Sequence, residues 1–194
     1  MRILFVCTGN TCRSPMAEGM LRKLAKERGV DVEVRSAGVS AAEGVQISYH
    51  AETVLRENQI HDEITSTPLR AELTEWADLI LTLTQGHKRQ VIQYFPGTAG
   101  KTYTLKEYVE DDEQVLADIR ELDGLFAARE LQMSLGQQMS AADGQRMIEL
   151  RQRIPVYDIS DPFGGSKEDY DRTAAEIRTA LDKLMDLLKE RNSR

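Results

Sequence analysis

The tightest constraint on how this chain folds lies near residue 1, where Arg2-Ile3-Leu4-Phe5-Val6 runs directly into Cys7-Thr8-Gly9-Asn10-Thr11-Cys12-Arg13-Ser14-Pro15. A short apolar run bounded by a loop reads as a buried strand. Pro15, suited to a first helical position with Ser14 before it as cap, opens the amphipathic segment Met16 to Arg28. The strand must therefore empty into a tight loop that ends at a helix N-terminus. Such a loop is an anion cradle. The backbone N–H groups of Thr8 to Ser14 can turn inward, the helix dipole favours negative charge, and the planar fork of Arg13 can grip two oxygens at once. Cys7 then lies beneath the anion, where it can act as a nucleophile.

Cys7 and Cys12 are the only cysteines among 194 residues, so no disulfide framework is available and both thiols are candidates for chemistry. A metal half-site is the competing reading. His50, His61 and His87 are scattered singly, however, and a zinc site needs clustered donors; no metal and no cofactor are expected. A net charge of −7 argues against nucleic acid as a partner, since phosphate backbones demand clustered Lys and Arg. No apolar run approaches the roughly 18 residues of a membrane span, and no basic leader precedes an apolar segment, so a membrane partner is not expected. With 41% hydrophobic and 29% charged residues, the composition suits one globular domain of cytoplasmic type.

Further along, Val30 to Val34 alternates apolar and charged residues as a half-buried strand does, ending at Ser36-Ala37-Gly38. Helical spacing follows over residues 48 to 59, a short helix over Leu69, Leu73 and Trp76, a strand over Ala77 to Leu83 and a helix over 84 to 95. Lys101 to Leu105 reads as a fourth strand, and Ser166 to Arg191 carries an apolar stripe of Tyr170, Ala174, Ile177, Leu181, Leu184 and Leu188. Alternating strands and helices predict an α/β fold, a three-layer sandwich with a central four-stranded parallel sheet flanked by helices. Residues 109 to 157 break that alternation. An acidic start at Glu110, helical spacing to Phe126, a turn bracketed by Gly136 and Gly144 and a shorter helix around Met147 to Leu150 predict a helical insertion within one domain spanning 1–194.

A second constellation lies at Asp158-Ile159-Ser160-Asp161-Pro162-Phe163-Gly164-Gly165. Cleavage of a phosphoester or phosphoamide by a thiolate needs a proton donor for the leaving group. Asp161, in a turn fixed by Pro162, is suited to that task.

Taken together, Cys7-x5-Arg13-Ser14-Pro15 after a strand, Ser36-Ala37-Gly38 after the second, and Asp161-Pro162 before the last helix resemble the low-molecular-weight protein tyrosine phosphatase family. The string CTGNTCRSPMAE at residues 7 to 18 looks most like its bacterial protein arginine phosphatase members. The resemblance implies that Cys7 takes the phosphoryl group, that Arg13 binds the phosphate and stabilises the transition state, and that Asp161 serves as general acid, then general base. Ser14 is then a donor to the thiolate, and Asn10 supports the loop with Ser36 as its partner. A helix N-terminus beside an Arg is the setting in which a thiol ionises at neutral pH.

Thr11 discriminates between substrates. Tyrosine-specific members usually carry a bulky aliphatic residue there, whereas a threonine hydroxyl suits a planar, polar guanidinium. Phe163-Gly164 also replaces the aromatic pair that often follows Asp-Pro in those members. Phosphorylated proteins are the expected partners, with phosphoarginine as the group removed and phosphotyrosine as the alternative. Two features depart from the family pattern: no histidine lies within Thr65 to Arg70, and 109 to 157 exceeds the usual length. Arsenate reduction on this scaffold is disfavoured for want of a third cysteine, and a pure phosphate-binding module would need neither nucleophile nor acid. Cys12, near Cys7 around the loop, is the expected redox partner, able to trap an oxidised Cys7 as a reversible disulfide.

Overall fold

In the computed structural model, which describes residues 1–192, Ile3, Leu4, Phe5 and Val6 are all fully buried, the pattern of a strand covered on both faces. This is β1 (Arg2–Cys7), followed by α1 (Arg13–Arg28), β2 (Glu33–Gly38), α2 (Tyr49–Glu57), α3 (Ala71–Trp76) and β3 (Leu79–Thr82). Then come α4 (Gln85–Tyr94), a 3-10 turn (Pro96–Lys101), β4 (Thr102–Thr104) and α5 (Leu105–Tyr108). The chain continues through α6 (Glu113–Ser134), α7 (Ala141–Arg153) and α8 (Lys167–Asn192). The four strands are parallel in the order β2-β1-β3-β4, the expected sheet.

Side chains alternate across a strand, so β1 feeds two cores. Ile3, Phe5 and Cys7 join one cluster with Met16, Leu21 and Leu24 of α1, Val54 of α2, and Ile177, Leu181 and Leu184 of α8. Leu4 and Val6 point the other way, with Ile80, Val91 of α4 and the partly buried Leu73 and Trp76 of α3. Helices thus cover both faces, and all four strands deliver their carboxyl ends to one edge, where such sheets hold ligands.

The second strand differs from the expectation. Instead of Val30–Val34 it runs from Glu33 to Gly38, because Gly29 closes α1 in the left-handed region (φ 65) and Val30 still bonds the helix through Ala25 O. Parallel pairing with β1, from Arg2 opposite Glu33 to Cys7 opposite Gly38, sets the register. Ser36-Ala37-Gly38 therefore belongs to the strand. The third and fourth strands are also shorter than expected, because only Leu79–Thr82 and Thr102–Thr104 find ladder partners.

The chain divides into two compact units: Met1–Val109 with the residues from Tyr157 onward, and Glu110–Val156. The second is a helical hairpin. Asp112 caps α6 by accepting from the N–H groups of Gln114 and Val115, and the helix runs well past Phe126 to Ser134 before Gly136 (φ 68) turns the chain. Gly144 does not close the turn as expected. It lies inside α7, whose cap is Ser140. No helix among the described residues is long and apolar enough to cross a membrane.

Candidate active site

Cys7 is the last residue of β1, and its buried Sγ lies 2.9 Å from Ser14 Oγ across the loop. Ser14 is not the helix cap. Helix α1 begins at Arg13 with Cys12 in the cap position and no side-chain cap bond, so Ser14 sits in the first turn facing inward. Its oxygen accepts from Asn10 Nδ2 at 2.8 Å, which leaves the hydroxyl proton for the sulfur. Asn10 is the hub of the loop. It takes a left-handed backbone (φ 54) that Asn tolerates, is fully buried, and donates a second bond to Ser36 Oγ at 2.8 Å. The expected Asn10–Ser36 pair is thus present. Asn10 Oδ1 accepts from the Thr67 backbone N–H at 2.8 Å, on the segment where the family histidine is missing. Ser36 Oγ in turn donates to Glu18 Oε2, and Glu18 pairs with Arg22. Burial pushes the Glu18 carboxyl up, against the pull of Ser36 and Arg22. Gly38 is required here because a Cβ would come within 2.4 Å of Thr8 O.

Arg13 is buried, and its guanidinium is held from the far end of the chain. Nη1 donates to Ile159 O at 3.3 Å, and Nη2 pairs with Asp161 Oδ2 at 3.1 Å. The Asp161 side chain is 57% exposed, so it reaches both the buried cation and solvent. Its Oδ1 accepts from Phe163 N at 3.2 Å, the Asx turn that Pro162 favours. Asp158 and Ile159 fasten this segment to the sheet edge: Asp158 Oδ1 accepts from Gln85 N at 2.7 Å, and Ile159 N donates to Leu83 O at 2.8 Å.

The two thiols face different partners. Cys12 Sγ lies 3.2 Å from Tyr170 OH and 3.6 Å from Thr11 Oγ1 and Ser48 Oγ, and both cysteines are free. Burial and the neighbouring Cys12 push the Tyr170 phenol up. Thr11 is half-buried, its carbonyl accepting from Ser48 N at 2.8 Å at the start of α2. Phe163 is 78% exposed.

Three residues of this assembly lay outside the sequence reading of the site: Glu18, Tyr170 and His87. His87, in the first turn of α4, is buried with Nε2 2.8 Å from Thr8 Oγ1. Burial, followed by the Arg13 charge, depresses its pKa to about 4, so the ring is neutral at physiological pH. A signal was available: α4 follows β3, the neighbour of β1, so its first turn must sit at the carboxyl edge. Among the described residues no cluster of His, Cys, Asp or Glu could hold a metal ion.

A thiol at the end of a parallel strand, a loop closed by a buried Arg and a carboxylate reaching that Arg from a later loop define a cysteine-dependent phosphatase. The family model described as low molecular weight phosphotyrosine protein phosphatase matches residues 2–124, and the chain belongs to that family. It is 37% identical to a protein-arginine-phosphatase of Geobacillus stearothermophilus, over 97% of this chain and 96% of the relative. It is 35% identical to the protein-arginine-phosphatase of Bacillus subtilis (strain 168), over 98% of each. A solved structure of the YwlE arginine phosphatase, a C7S mutant with a phosphorylated active-site serine, superposes with a TM-score of 0.72 at 35% identity, covering 97% of this chain and 96% of that one.

Proposed function

We propose that this chain is a protein arginine phosphatase. The observation that carries the chemistry is the resting pair of contacts in the loop: Cys7 Sγ against Ser14 Oγ, and Arg13 against Asp161. The phosphoryl group of a phosphoarginine side chain docks in the loop and competes with Asp161 for the Arg13 guanidinium. Thiolate Cys7 attacks phosphorus, the S–P bond forms and the P–N bond breaks. Asp161, released from the cation, takes up a proton from the solvent to which its side chain is exposed and gives it to the departing guanidine nitrogen. Water then attacks the phosphocysteine with Asp161 as base, the S–P bond breaks, and Ser14 donates to the thiolate as it leaves. Thr8, Gly9, Asn10, Thr11, Cys12, Arg13 and Ser14 form the cradle, and phosphorylated proteins are the substrates. No metal or cofactor enters.

Support for arginine over tyrosine comes from Thr11, a cradle residue whose short hydroxyl side chain stands where tyrosine-specific members usually carry a bulky aliphatic one, and from the relatives named protein-arginine-phosphatase. Turnover of matched phosphoarginine and phosphotyrosine peptides tests this. The native protein is expected to prefer phosphoarginine, and Thr11→Ile is expected to shift the preference toward phosphotyrosine by roughly tenfold or more. A native preference for phosphotyrosine would instead favour the tyrosine phosphatase reading.

The same proposal takes the chain as one phosphatase domain, with 109 to 157 a helical insertion in it. It also takes Cys12 as a redox partner. Peroxide oxidises Cys7 to the sulfenic acid, Cys12 displaces water to form the disulfide, and dithiothreitol restores both thiols. A Cys12→Ser variant that regains activity after peroxide as fully as the native protein would exclude this role.

A further inference from the structure

His87 stands where three elements of the site meet. Its backbone N–H donates to Thr84 Oγ1 at 3.1 Å, which fixes the first turn of α4. Its ring feels the charges of Arg13, Asp161 and Asp158, and its Nε2 is 2.8 Å from the hydroxyl of Thr8, the residue that follows the nucleophile. The ring's other nitrogen, Nδ1, is buried without a partner.

That orphan nitrogen decides the tautomer. A neutral imidazole carries one proton. On Nδ1 it would be a buried N–H with no acceptor, the rarest kind of unsatisfied group, whereas an unpaired lone pair there is better tolerated. The proton therefore sits on Nε2 and is donated to Thr8 Oγ1. Once its oxygen accepts from the ring, the Thr8 hydroxyl keeps its own proton to donate elsewhere. Thr8 is exposed and opens the cradle sequence, and the group that the cradle receives is an anion.

We propose that His87 is a positioning residue that donates from Nε2 to Thr8 Oγ1 and so turns the Thr8 hydroxyl proton toward the phosphoryl group bound over Cys7. This rests on the phosphatase reading and adds to it a donor outside the backbone cradle and Arg13. A carboxamide can imitate the ring: Gln places an N–H donor near the position of Nε2, whereas Leu fills the space and donates nothing.

Two measurements test it. In the resting native protein, ¹⁵N-detected NMR of the His87 ring reads the tautomer without any turnover, so it stands or falls separately from the phosphatase reading. Protonated Nε2 with bare Nδ1 is expected, and the reverse tautomer overturns the proposal. Inhibition by orthovanadate, with turnover of para-nitrophenyl phosphate alongside, then compares Thr8→Val, His87→Leu, His87→Gln and the Thr8→Val/His87→Leu double variant. Each of Thr8→Val and His87→Leu is expected to weaken vanadate binding and lower kcat/KM by about tenfold, the double variant no further, and His87→Gln by about threefold or less. Losses that multiply in the double variant, or vanadate binding unchanged by Thr8→Val, overturn it. If His87→Leu does not fold, the tautomer and Thr8→Val decide alone.

Discussion

The catalytic loop and the helical hairpin at 110–156 are built on opposite principles. The loop is held by two buried, hydrogen-bonded side chains: Asn10 serves Ser14, Ser36 and the Thr67 amide, and Arg13 serves Ile159 and Asp161. In the hairpin, whose buried apolar side chains include Met147 and Leu150, ion pairs do much of the joining. Arg146 grips Glu121 with two bonds, Arg153 reaches the buried Asp118, and Arg151 lies over the Phe126 ring. Leu131, Met133 and Leu135 near its turn remain more than 60% exposed. The difference follows from what each region must do. A site that aims a sulfur at phosphorus needs one geometry, whereas a helical pair tolerates fraying and substitution at its tip.

The sharpest way to break this contrast is Asp161→Asn. The carboxamide keeps the shape of the turn but has no proton to deliver. Turnover of a phosphoarginine peptide is expected to fall roughly 10²- to 10³-fold, and that of para-nitrophenyl phosphate, whose leaving group needs less help, by less. Equal losses on the two substrates would show that Asp161 acts only through its pairing with Arg13.

The buried ring of His87 comes next. Its folded pKa of about 4 lies below the ordinary 6.5, so its contribution to stability is present above pH 6.5 and is lost as pH falls toward 4. The loss reaches about 3 kcal/mol. Thermal melts between pH 7 and 4 should therefore show a shallower acid decline in His87→Gln than in the native protein.

Asn10→Ala should cost about 2 kcal/mol of stability, because it strands Ser14, Ser36 and the Thr67 amide, and activity should fall with it. At the other extreme, Leu131→Ala in the hairpin should change stability by no more than about 0.5 kcal/mol and leave turnover unaltered. Denaturant midpoints for the two variants, measured side by side, sharpen the comparison directly.

How far the site could be read from sequence depended on contiguity. The strand, the loop and α1 follow one another in the chain, so Cys7 and the cradle were legible from the apolar run and Pro15. Pro162 marked only a turn at Asp161, and it was the thiolate loop, whose chemistry needs a proton donor, that singled the residue out. Ser36 was legible only through family resemblance, as partner to an Asn10 far away in the chain. Glu18 and Tyr170 read as helix positions, one charged and one apolar, since nothing local tells a helix residue that it faces a loop from another element. His87 was signalled only by topology, through the place of α4 after β3, and its partner Thr8 meets it only once β1 and β3 pair in the sheet. Strand two slipped for a related reason: alternation favoured Val30 to Val34, but the ladder with β1 chose Glu33 to Gly38.

The central claim is that Cys7 carries the phosphoryl group in transit. Native protein mixed rapidly with a phosphoarginine peptide, quenched within one turnover and digested for mass spectrometry, tests it most directly. One phosphoryl group on the peptide that contains Cys7, absent in Cys7→Ala, is the predicted result. Phosphate on any other residue, or turnover by Cys7→Ala at the native rate, would contradict it.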